Sequence, residues 1–136
     1  MDQKEFEGIA VEEWALIPQH FKERIDNVAL LIEDEPSAEL LAEEGLEDGQ
    51  TLLGLYRGIP LTQRGEGYGV GETLPDTITI FRFPIEDESI ALDQSPSDAI
   101  RTIIRETLWH EVGHYFGHGE EAIREREAKD TNTFDT

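Results

Sequence analysis

The stretch TLWHEVGHYFGHGEE, residues 107–121, holds three of the chain's four histidines within nine positions. Inside it His110, Glu111 and His114 spell HExxH. Residues four apart on an α-helix lie one turn above another, about 40° apart around the axis, so two imidazoles at that spacing can bind one tetrahedral ion. Glu111 follows the first imidazole directly, which sets its carboxylate beside such an ion, ready to take a proton from water. The helix carrying these residues is legible from its ends. Ser95-Pro96-Ser97-Asp98 supplies a Ser cap, a Pro at the first position and an acid at the third. The pattern predicts a helix from Pro96 to Phe116 that stops near Gly117 or Gly119.

The helical wheel sharpens this reading. Ile100, Ile103, Ile104 and Thr107 define one face, expected against a sheet, and Glu111, His114 and His118 continue that stripe with His110 at its margin. Burying such groups without partners costs on the order of a few kcal/mol each, and a bound metal would remove much of that cost. Trp109, Val112 and Phe116 cover other sides. The plain alternative, two surface histidines beside a core glutamate, fits poorly with a pattern lying on the apolar face. Two histidines and a water leave a zinc ion one protein ligand short. With Gly117 turning the chain back, Glu120 is the expected third ligand, and Glu121, His118 and Glu125 compete for the place. The spacing is that of HExxHxxGxxH with Glu at the last position. Metzincins also need a methionine turn after the motif, and the single methionine here is Met1, so the chain is not a metzincin.

Outward from the motif, Glu5 to Ile17 places Phe6, Ile9, Ala10, Trp14 and Ile17 at helical spacing, and Pro18 ends that helix. Gln19 to Ile25 reads as a short second helix. Residues 27–34, NVALLIED, predict a strand covered on both faces, closed by Pro36. Ser37 to Glu44 predicts one or two exposed helical turns. Residues 51–58, TLLGLYRG, predict a second strand in which Gly54 marks a bulge or close contact. Ile59 to Pro75, with Pro60 and four glycines, reads as a loop and candidate lid. Residues 76–83, DTITIFRF, predict a third strand with Ile78, Ile80 and Arg82 on one face. Pro84 to Gln94 reads as an acidic connection, Glu120 to Lys129 as a last short helix, and residues 130–136 as a flexible tail. No repeat or linker divides residues 1–129, so one domain is expected.

Composition narrows the partners. A chain of 136 residues with 38% apolar and 8% aromatic residues supports one modest core. Its 31 acids against 11 bases leave a formal charge of −20, which argues against nucleic acid and against an anionic membrane. A basic peptide, a basic protein or a cation is attracted instead. The absence of cysteine excludes disulfides and thiolate zinc sites. The first twenty residues lack the features of a secretory signal, and no window approaches the roughly 18 apolar residues of a membrane span. A soluble, acidic, cytoplasmic protein is expected.

On these residues the chain resembles the small "minimal" zincin-like metallopeptidases of bacteria. Phe6 through Pro18 is similar to the family's leading helix, NVALLIEDEP to its first strand, LLGLYRGIPLTQR to its second strand and turn, and LPDTITIFRFPI to its third. HEVGHYFGHGEE resembles its HExxHxFGxxD motif, with Glu120, one methylene longer, standing where Asp is usual. The resemblance implies an α+β fold: a small mixed, three-stranded sheet packed on the active-site helix, with further N- and C-terminal helices. It implies zinc (Zn2+) held by His110, His114 and Glu120; so small a domain offers few subsites, so a peptide or unfolded protein is the expected substrate. Zincins commonly pair an extended substrate with a sheet edge, and the third strand, Thr77 to Arg82, or the second is the expected edge.

Other candidates are weaker. Tyr115 and Tyr68 are either oxyanion donors or packing residues, and the second role is commoner. Arg57 and Arg64 either bind a carboxylate or form ordinary ion pairs. His20 is expected at the surface, and Trp14 and Trp109 in the core. Three functions stay open: a zinc-dependent metallopeptidase with Glu111 as catalytic base, a non-catalytic zinc-binding module, and an acidic interaction protein for a basic partner. Glu111 favours the first, because a purely structural zinc site needs no general base.

Overall fold

The computed structural model describes residues 1–18, 28–47, 49–58 and 76–115. Along the chain these form α1 (Gln3–Ala15), β1 (Val28–Glu33), α2 (Ala38–Glu43), β2 (Gly54–Arg57), β3 (Asp76–Phe81), α3 (Arg82–Ser89) and α4 (Pro96–Tyr115). Asp2 caps α1 by accepting the Glu5 N–H at 2.8 Å, and Phe6, Ile9 and Ala10 are buried as their spacing requires. The helix stops at Ala15, short of Ile17, because a residue preceding proline disfavours helical backbone; Ile17 is nonetheless buried. Ser37 caps α2, a short helix with no buried residue.

The three strands are ordered β1-β3-β2, with β1 parallel and β2 antiparallel to β3. This is the expected mixed sheet, but the third strand is its centre, so the expectation that Thr77 to Arg82 forms an edge is overturned. β3 is bonded on both sides, and Ile78, Ile80 and Phe81 are fully buried. Among the described residues β2 and β1 are the edges. Nor is β1 covered on both faces. Val28, Leu30 and Ile32 lean on the core, while Leu31 and Glu33 on the opposite face are exposed.

A second correction follows β3. Arg82 does not continue the strand face of Ile78 and Ile80, because the chain turns there into α3. The segment from Pro84, expected as an acidic connection, is thus mostly helical. Pro84 lies in the first turn, where its missing N–H forfeits no helical bond. Ile85 and Ser89, one turn apart, are buried.

α4 begins as expected, with Ser95 Oγ accepting the Asp98 N–H at 3.3 Å. Ile100, Ile103, Ile104, Leu108 and Val112 form the centre of the core against β3 and α1. Each aliphatic side chain so buried contributes about 1.5–3 kcal/mol. Trp109 is buried and Trp14 partly so. Where α1 crosses α4, the fully buried Glu13 accepts from Arg105 Nε at 2.7 Å and Arg101 Nη1 at 3.1 Å.

The expected helices at Gln19 to Ile25 and Glu120 to Lys129, the Ile59 to Pro75 loop and the tail at 130–136 lie outside the described residues. No helix among the described residues is long and apolar enough to cross a membrane.

Candidate metal centre

The last turns of α4 place the HExxH side chains. His110 and His114 stand one turn apart with ring centroids 5.2 Å from one another. Each of His110, Glu111 and His114 offers a ligand atom, and these atoms all lie within 4.8 Å of one another. The two histidines are half-buried and Glu111 is buried, so the group opens at the surface on its imidazole side and is anchored on its carboxylate side. Two imidazoles with an adjacent carboxylate are donors of the kind that could hold a metal ion.

β2 sets the carboxylate. Gly54 lets this strand lie directly on α4: a Cβ there would stand 2.6 Å from Thr107 Cγ2 and 3.4 Å from Glu111 Cγ. The close contact expected at Gly54 is therefore real. Two residues on, the Tyr56 backbone N–H donates to Glu111 Oε1 at 2.9 Å. The Tyr56 phenol in turn donates to Asp76 Oδ2 at 2.6 Å, and its ring meets the buried Tyr115 edge-on at 6.1 Å. Asp76, the first residue of β3, is 3% exposed. Gly58, at φ 149°, closes on it so tightly that a side chain there would collide with the Asp76 carboxyl group.

Of the expected site residues, the structure brings together His110, Glu111 and His114. Glu120 and its competitors His118, Glu121 and Glu125 lie outside the described residues, as do Tyr68, Arg64 and His20. Tyr115 takes the packing role. Arg57 takes the ion-pair role, 2.8 Å from Glu43 and 3.7 Å from Glu44; the Glu43 hydrogen bond raises its pKa above the ordinary arginine value. A surface groove of about 540 Å³ between α2 and α3, floored by Leu41 and Phe83, contains none of the three motif residues.

Sequence reasoning missed Tyr56 and Asp76. The link from Tyr56 to Glu111 runs through a backbone amide, which has no sequence signature, and only the neighbouring Gly54 hinted at it.

The chain matches the family model of zincin-like metallopeptidases over residues 25–129. No curated protein matches it in sequence. Because the family match runs from before β1 through all of α4 and covers most of the chain, the protein belongs to the zincin-like metallopeptidase family.

Proposed function

We propose that this protein is a zinc-dependent peptidase in which His110, His114 and Glu120 hold the metal and Glu111 is the general base. The observation that carries this reading is the convergence of two imidazoles and a buried carboxylate within 4.8 Å at one end of α4. Zinc held there supplies Lewis acidity, acidifying water and polarising a carbonyl.

The chain's own groups do the rest. Glu111 takes the proton of the attacking water and passes it to the leaving amine. Its Oε1 accepts the Tyr56 N–H, a contact that supports a fixed orientation of the base. β2, the antiparallel edge beside Glu111, is the strand on which an extended peptide would lie, held by backbone pairing. Short peptides and unfolded chains are the substrate class suited to so small a domain.

The test begins with elemental analysis of protein purified without chelator or nickel. Wild type is expected to carry near one zinc per chain, and His110→Ala/His114→Ala none. Glu111→Gln should keep the zinc and lose about 10²- to 10⁴-fold in turnover of a peptide library. Zinc retained with no turnover in wild type would favour the non-catalytic module. No zinc, even after it is added back, would favour the acidic interaction protein.

A further inference from the structure

β2 is four residues long and is bonded into the sheet through β3. Among the described residues it is an edge, the kind of strand that opens locally most readily. Yet its Tyr56 N–H is what holds Glu111 Oε1. A glutamate carboxylate rotates through a broad χ3 well, so the steadiness of this donor bears on how the carboxylate is turned.

Tyr56 is itself tied down at its other end. Its phenol donates to Asp76 Oδ2 at 2.6 Å, on the central strand. Its ring lies against Tyr115 on α4, the same helix that carries Glu111. Packing alone would not require this arrangement. An apolar side chain at residue 76 would fill the space without the desolvation cost of a carboxyl group that is 3% exposed. What the polar pair adds is direction: it fixes the Tyr56 side chain, which belongs to the same residue as the amide that meets Glu111.

We propose that Tyr56 and Asp76 are positioning residues for Glu111: the Tyr56–Asp76 hydrogen bond steadies the β2 edge so that its amide aims the carboxylate. This rests on the reading of Glu111 as general base, but its physical core, control of the amide by a remote side-chain pair, is measurable without turnover.

The experiment uses the full chain with zinc added, as wild type, Tyr56→Phe, Asp76→Ala and the double variant. Amide hydrogen exchange is followed by NMR together with the Glu111 carboxyl ¹³C shift, and kcat and KM are measured on a peptide substrate. Each single variant should speed exchange of the Tyr56 amide about tenfold and move the Glu111 shift. In the double variant the effect on the Tyr56 amide should fall short of the sum of the two, because the variants share one hydrogen bond. Zinc content should stay constant, and kcat should fall about tenfold with KM within about twofold. Unchanged Tyr56 exchange and an unchanged Glu111 shift would overturn the proposal. So would faster exchange spread evenly over β1 and β3, which would make the pair a staple of the whole sheet. Should Asp76→Ala not fold, Tyr56→Phe decides alone, since it keeps the ring and removes one oxygen. Absence of Glu111-dependent turnover in wild type would defeat the peptidase reading, while the exchange data still decide this one.

Discussion

At Gly54 the backbone of β2 and the side chains of α4 meet with nothing between them. A Cβ would lie 2.6 Å from Thr107 Cγ2 and 3.1 Å from the Thr79 carbonyl oxygen. Real atoms do not approach so closely, so Gly54→Ala must push the strand off the helix. Overpacking of this kind costs about 1–3 kcal/mol. Here it should also lengthen the bond from the Tyr56 amide to Glu111, two residues along the same strand. Adding Thr107→Ser removes the methyl group that is struck and should recover part of the lost stability. Urea denaturation of the single and double variants measures this, and a Gly54→Ala protein as stable as wild type would mean that β2 does not sit on α4 as described.

The contact between α1 and α4 is unusual for a small domain because a carboxylate lies in it. Glu13 is fully buried, whereas Arg101 and Arg105 keep about a third of their side-chain surface, 29% and 35%. Burial works against the charge of Arg101, but hydrogen bonds to Glu12 and Glu13 outweigh it and raise its pKa. The pair is therefore asymmetric. Arg101→Ala/Arg105→Ala strands a buried charge and should cost about 3–5 kcal/mol. Glu13→Met leaves two arginines that can reach water, and should cost clearly less. Urea melts of the two variants compare them directly, and equal losses would refute the asymmetry. This contact also marks what the sequence made legible. α4 could be read because its signals are local: the cap at Ser95, the apolar period, and two histidines one turn apart. Glu13 is buried beside Phe6, Ile9 and Ala10, and nothing local in the sequence announces this, because its partners lie 88 and 92 residues away. The order of the strands was hidden for the same reason, since pairing joins Val28 to Asp76 across the chain. α3 was masked differently: Pro84 and a run of acids resemble a loop, and only the burial of Ile85 and Ser89 against the rest of the fold makes them a helix.

Over the whole molecule, the surplus of acids bears on stability. With 31 acids and 11 bases, carboxylates far outnumber the basic groups that could pair with them, and their mutual repulsion works against the compact state. Among the described residues, two sets of ion pairs contrast. Those of Glu13 are buried and little affected by ions in solution, while that of Arg57 with Glu43 has both side chains about half exposed, 52% each, and is worth little. At 0.1 M salt the screening length is about 10 Å, short enough to damp repulsion between surface acids, whereas a buried contact is screened much less. Adding NaCl should therefore stabilise this protein, raising Tm by a few degrees between low salt and about 0.5 M, with most of the gain in the first part of that range where screening changes fastest. The Arg101→Ala/Arg105→Ala variant, with two fewer positive charges, should gain more than wild type from the same addition. Thermal melts across a salt series check both expectations. A Tm that falls with added NaCl would mean that attractive surface pairs outweigh the surplus of acids, and that the charge of −20 is arranged to hold this fold together.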